Sequence, residues 1–162
     1  MALEEDLDTL FRRYGPLVYR RALQLLGSPA AAEEAVQEVF IRAMKARDRF
    51  DPRAKPSTWL YRITTNYCLN QIRDSKRRQE LLDERAEEVT PASVARDPQK
   101  LAMVRELLAE ADPRQAEAAA AVYVDGMSHA EAAKVIGVSR RTVGNLCDRF
   151  VTWARDRLGT RQ

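Results

Sequence analysis

The chain has 162 residues, 27 of them Lys or Arg, 24 Asp or Glu and one His, for a net charge of +3. That length admits one domain or two small ones, and so small a net charge does not alone suggest nucleic acid. One histidine and two distant cysteines, Cys68 and Cys147, argue against a zinc site, and the absence of a phosphate loop or Ser/His/Asp set leaves little for catalysis.

The N-terminus is acidic (Glu4, Glu5, Asp6), and no apolar run approaches the ~18 residues of a membrane span, so a soluble, cytoplasmic protein without cofactor or metal is expected. Apolar residues recur at helical period almost throughout, and no alternating strand stands out, so the expected fold is all-α. Leu3, Leu7, Leu10, Phe11 and Tyr14 form a first helical face, and after Gly15-Pro16 a second runs through Leu17, Val18, Ala22, Leu25 and Leu26. Ser28-Pro29 is an N-cap followed by proline at the first helical position, and starts a helix to about Arg47.

A loop from Asp48 to Pro56 follows, carrying Arg49, Arg53 and Lys55. Ser57 is the expected cap of a long helix with Trp59, Leu60, Ile63, Tyr67 and Ile72 on its apolar side. This helix also bears polar groups suited to base edges (Thr64, Thr65, Asn66, Asn70) and ends in the cations Arg73, Lys76, Arg77 and Arg78. Aromatics interleaved with cations suit unstacked bases and their phosphates. The alternative is that Trp59 and Tyr67 are core and the basic run is a solvated face. Periodicity then fails from about 79 to 99, a stretch with Pro91 and Pro98.

A second helical block begins near Lys100, with a cap at Asp112-Pro113 and a helix to Asp125. Ser128 with Glu131 three residues on makes a capping box, Gly137 ends that helix, and Ser139 caps the next. Ala133, Val143 and Leu146 supply an apolar seam between the two helices. The pattern is a helix-turn-helix, whose second helix enters a DNA major groove N-terminus first; an ordinary helical hairpin is the bland reading. Gly144 inside that helix costs about 1 kcal/mol against alanine, unless a close backbone approach requires it.

Charge is distributed unevenly. Residues 1–78 carry 15 basic and 10 acidic groups, residues 79–99 carry 2 and 6, and residues 100–162 carry 10 and 8. Two small helical domains, 1–78 and 100–162, are therefore expected on either side of a flexible acidic linker, 79–99.

The run Ala32-Glu33-Glu34-Ala35-Val36-Gln37-Glu38-Val39-Phe40, followed by Trp59-Leu60-Tyr61-Arg62-Ile63 and Asn66, resembles region 2 of bacterial extracytoplasmic-function sigma factors, of the sigma-70 superfamily. The segment from Leu107 through Asp112-Pro113 and Gly126 to Arg149 resembles region 4 of that family. The resemblance implies a non-enzymatic subunit that joins core RNA polymerase and directs promoter-specific initiation. It implies that Glu33, Glu34, Gln37 and Glu38 face the polymerase clamp, and that an anti-sigma factor exists as a partner.

By the same resemblance, Arg53, Lys55, Tyr61, Arg62, Asn66, Arg73, Lys76, Arg77 and Arg78 meet the −10 element, with a flipped base received beside Asn66. Ser139, Arg140, Arg141, Thr142, Asn145 and Arg149 fall in the reader of the −35 element. There the chain departs from the family, with Gly144 and Leu146 where cations are common. The resemblance further implies a linker threaded into the polymerase cleft; a plain spacer is the alternative. Two other readings stay open: a helix-turn-helix repressor or activator acting without polymerase, and a sigma-like partner-binding protein with weak DNA affinity.

Overall fold

In the computed structural model, residues 7–51, 53–82 and 98–159 are described, and no strand occurs among them. Helix α1 spans Leu7–Leu26, α2 Pro29–Ala46 and α3 Pro56–Leu82. Then come α4 (Pro98–Glu110), α5 (Pro113–Ala119), a π-helical turn (Ala120–Val124), α6 (His129–Ile136) and α7 (Arg140–Gly159). Most of the acidic linker lies outside the described residues.

Several caps fall where the sequence puts them. Ser28 accepts from the Ala31 N–H at 3.3 Å, and Asp112 accepts from the N–H groups of Arg114 and Gln115. Each satisfies donors left free at a helix start. Gly137 closes α6 at φ +80°, a left-handed conformation that glycine adopts without steric cost.

Two expectations need correction. Gly15-Pro16 does not divide the first helix, because α1 runs unbroken with Pro16 inside it. Burial of Leu10, Val18, Ala22 and Leu25 against α2 and α3 offsets the hydrogen bond that proline removes. Likewise α3 starts at Pro56 rather than after Ser57, with the Trp59 N–H bonded to the Lys55 carbonyl at 3.2 Å. Proline at the first helical position loses nothing, since its N–H would be unpaired there.

The buried side chains form two clusters. The larger joins α1, α2 and α3 (Val18, Leu25, Val39, Phe40, Leu60, Leu69) to Leu107 and Leu108 of α4, Ala116 of α5 and Phe150 of α7. The smaller is the seam of the helix-turn-helix: Ala132, Ala133, Ile136, Val143, Leu146 and Cys147. Ala133, Val143 and Leu146 thus pack as their spacing predicts. Cys68 and Cys147 are both buried and unbridged, and burial pushes the Cys68 thiol up to about 12. That thiol stays protonated and unreactive near neutral pH.

Candidate nucleic-acid interface

The acidic face of α2 arises from helical period. Ala32, Ala35, Val36, Val39, Phe40 and Ala43 turn inward, which leaves Glu33, Glu34, Gln37 and Glu38 exposed. Ile41 and Met44, 44% and 48% exposed, extend this face with apolar surface. Neither belongs to the contact set expected from the motif, although exposed positions one and two turns beyond Gln37 are predictable from the period. Charge flanked by apolar side chains suits a protein partner better than a solvated face does.

Between α2 and α3, the loop is pinned at both sides. Phe50 meets Trp59 edge-on, with ring centroids 5.1 Å apart, so Trp59 is half-buried and anchors the loop rather than standing free for a base. Asp51 accepts from the Arg53 backbone N–H at 2.9 Å, and that bond holds its carboxyl below the usual range. Arg53 and Lys55 are exposed.

Along α3 the candidates divide into two flanks. Asn66, Arg77 and Arg78 are exposed, and Arg73 is half-buried with a guanidinium N–H donating to Asn70 at 3.3 Å. Tyr61, Arg62 and Lys76 instead meet carboxylates of the second block. Tyr61 donates to Asp125, Arg62 pairs with Glu117 at 3.2 Å and Lys76 pairs with Glu110. The anion that offsets Lys76 is therefore within the chain. Thr64 and Thr65, expected from residue type to suit base edges, are 0% and 2% exposed. Thr64 donates to the Leu60 carbonyl at 2.7 Å and Thr65 accepts from Arg21, so neither is available to a base.

Arg21 joins this cluster with no signal in the sequence. It is 4% exposed, ion-paired with Asp125 and stacked 4.6 Å from the centre of the Tyr61 ring. Burial lowers its affinity for the proton, and burial also pushes the Asp125 carboxyl up to about 6, against the pull of Arg21. Nothing local in the sequence joins positions 104 residues apart.

On α7, Arg141, Asn145 and Arg149 stand at four-residue intervals on one exposed face, with Arg140 exposed beside them. Ser139 caps the helix, accepting from the Thr142 N–H at 3.1 Å, and the two hydroxyls lie 2.8 Å apart. The cap before α6 differs in detail from a capping box. The Ser128 hydroxyl donates to the Glu131 carboxylate at 3.1 Å as well as accepting from the Glu131 N–H.

Of the two departures on α7, packing explains Leu146 and nothing in the structure explains Gly144. Leu146 is 8% exposed and part of the seam, so its side chain serves packing. At Gly144 an added Cβ would sit 3.6 Å from His129, an ordinary contact, so no close approach demands glycine. Gly144→Ala is expected to raise stability by about 1 kcal/mol in thermal denaturation, through helix propensity. An unchanged or lowered melting temperature would contradict this.

An apolar cleft of about 260 Å³ lies between α4, α5 and α7, lined by residues including Leu107, Tyr123, Val124, Phe150 and Leu158. Tyr123 is 55% exposed at its edge.

Comparison with known proteins places this geometry in a family context. Residues 10–78 match the model of Sigma-70 region 2, and residues 101–147 match that of Sigma-70 region 4. The chain is 32% identical over 157 residues to the ECF RNA polymerase sigma factor SigE of Mycolicibacterium smegmatis, covering 93% of this chain and 61% of that protein. It therefore spans under two thirds of the SigE relative. It is 31% identical over 144 residues to the ECF sigma factor SigM of Mycobacterium tuberculosis, covering 88% and 71% of the two chains. Among solved structures, CnrH in complex with the cytosolic domain of CnrY aligns with a TM-score of 0.54 at 26% identity, covering 96% and 89%. The sigma factor RpoE bound to the anti-sigma factor NepR, from Bartonella quintana, aligns with a TM-score of 0.55 at 21% identity, covering 98% and 99%, a likeness of fold.

Proposed function

The chain belongs to the extracytoplasmic-function sigma factors of the sigma-70 family, and on that premise we propose that it joins core RNA polymerase and directs initiation at promoters with −10 and −35 elements. The observation that carries this reading is the pairing, in one chain, of the exposed acidic face of α2 with the exposed cationic face of α7. A repressor acting alone needs the second but not the first. Sigma factors are not enzymes, and chemistry belongs to the polymerase.

Within this reading the N-terminal block, 1–78, engages polymerase and the −10 element, and the C-terminal block, 100–162, engages the −35 element. Glu33, Glu34, Gln37 and Glu38, extended by Ile41 and Met44, meet a basic surface of core polymerase. Complementary charge there supplies orientation and on-rate more than affinity. Arg53, Lys55, Asn66, Arg73, Arg77 and Arg78 hold the melted −10 strand, the amide of Asn66 donating and accepting on a base edge. Ser139, Arg140, Arg141, Thr142, Asn145 and Arg149 approach the −35 duplex, the arginines at phosphates. No described helix is long and apolar enough to cross a membrane, and action on cytoplasmic DNA is part of the proposal.

The apolar cleft favours a protein partner in addition, since an amphipathic helix of an anti-sigma factor fits a groove lined by Leu107, Phe150 and Leu158. Run-off transcription with purified core polymerase tests the main reading. Asn66→Ala is expected to reduce open-complex formation about tenfold while leaving affinity for core polymerase unchanged, because flipping costs a few kcal/mol that pocket contacts offset. Equal losses in both assays would remove Asn66 from the −10 pocket, and failure of the wild-type chain to support initiation would remove the reading itself.

A further inference from the structure

Helix α7 carries a single amide, Asn145, among charged, apolar and hydroxyl residues and glycine. It lies inside the helix and is exposed, and its amide bonds no other described residue. Asparagine is among the weaker helix formers, because its side chain competes for backbone groups. No contact within the described chain accounts for it, and the amide is free to meet an outside partner.

The neighbours of Asn145 decide which part of a duplex it meets. Arg141 and Arg149 stand one turn before and one turn after it on the same exposed face, each about 6 Å away along the helix axis. With both arginines on phosphates, which fix register, the short side chain between them is left to the base edges. Gly144 has no side chain and Leu146 is 8% exposed in the seam with α6, so neither competes for those edges. The hydroxyls of Ser139 and Thr142 lie 2.8 Å apart, and Ser139 also accepts from the Thr142 N–H, so both are engaged in the cap. Asp148, the next exposed polar residue, is an anion that phosphates repel.

We propose that Asn145 selects adenine at one position of the −35 element, and that promoters used by this chain share that base. The inference rests on the proposed role of α7 as the −35 reader. In the major groove each base pair shows its own pattern of donors and acceptors. An amide offers a donor and an acceptor side by side in one plane. Adenine presents the complement, its N6 amine donating and its N7 accepting, so both bonds form on one base. Guanine sets two acceptors there and leaves the amide carbonyl facing an oxygen. Thymine shows an acceptor beside a methyl group, and cytosine a donor, so each leaves half of the amide unpaired. With no cation at positions 144 and 146 to add contacts to guanine, the choice at this position falls to Asn145.

The test presents the full chain with a pool of duplexes randomised over the bound tract and sequences those retained. Wild type is expected to favour adenine at one position roughly tenfold over the other bases, a discrimination that one bidentate pair supplies. Asn145→Arg is expected to move that same position to guanine, whose N7 and O6 both accept. Asn145→Ala is expected to leave it open to any base while the rest of the retained tract is unchanged. Asn145 is exposed and lies outside both apolar clusters, so these substitutions leave packing intact. An Asn145→Ala chain that keeps the wild-type adenine overturns the inference, as does an Asn145-dependent position that holds another base in wild type, or an Asn145→Arg chain that still selects adenine there. Should the adenine fail while wild type supports run-off transcription with core polymerase, the promoter reading stands and only the assignment of Asn145 falls. Should transcription fail too, the reading itself has failed with it.

Discussion

Arg21→Ala is expected to destabilise the protein by about 3–5 kcal/mol and lower its melting temperature by roughly 10 °C, well beyond the effect of an ordinary surface substitution. Removing the guanidinium leaves the Asp125 carboxyl buried with Tyr61 as its remaining partner, and also takes a donor from Thr65. The loss of packing over the Tyr61 ring adds to the cost. A fall below about 1 kcal/mol would show that the pair contributes only as a surface ion pair does.

Asp125→Asn separates charge from shape. The groups facing Asp125 are Arg21 from α1 and Tyr61 from α3, with the Cys68 thiol behind Arg21. Burial raises the Asp125 carboxyl from 3.8 to about 6, so between those pH values the folded chain holds a proton that the unfolded chain releases. Stability from this group is fully present below about pH 4 and is lost as pH rises through about 6. Between pH 5 and 7.5 the wild type should lose about 1 kcal/mol relative to Asp125→Asn. Urea denaturation of both proteins at the two pH values measures it; a wild type that gains on Asp125→Asn as pH rises contradicts the assignment.

Replacing Arg140 and Arg141 together by alanine should weaken binding to duplex DNA by about a hundredfold at low salt. It should also reduce the slope of log affinity against log salt by about 2, near 0.9 for each phosphate no longer neutralised. Both residues are exposed at the first turn of α7, where the helix N-terminus already favours anions. Fluorescence anisotropy across a sodium chloride series reads both quantities. Asn145→Ala, one turn further on, should leave the slope unchanged and alter preference among sequences instead, since an amide reads base edges. An unaltered slope in the double variant would mean that α7 does not meet phosphates with its first turn.

Most of the elements, and which residues of α2 and α7 are exposed, are legible in the sequence. Ser28-Pro29, Asp112-Pro113, Gly137 and Ser139 mark helix ends because capping is a contest among groups three or four residues apart. The exposed set on α2 follows from the inward turn of Ala35, Val36 and Val39, and the seam of Ala133, Val143 and Leu146 from the same period. Pro16 misleads because its local penalty is real but smaller than the burial gained across α1. Thr64 and Thr65 mislead because residue type alone does not say which side of α3 meets α1.

What the sequence by itself determined is most of the helices, several of their caps, the helix-turn-helix and the family to which these motifs point. What only the tertiary structure decided is which polar groups are spent inside the molecule. Arg21 and Asp125 are partners across 104 residues, and Tyr61, Arg62 and Lys76 are turned toward carboxylates of the other block. The physical reason is one of range. Helical period and capping act over a single turn, and they are written in neighbouring residues. The pairing of charges between blocks depends on how whole helices rotate and pack against one another, which no local run of residues encodes.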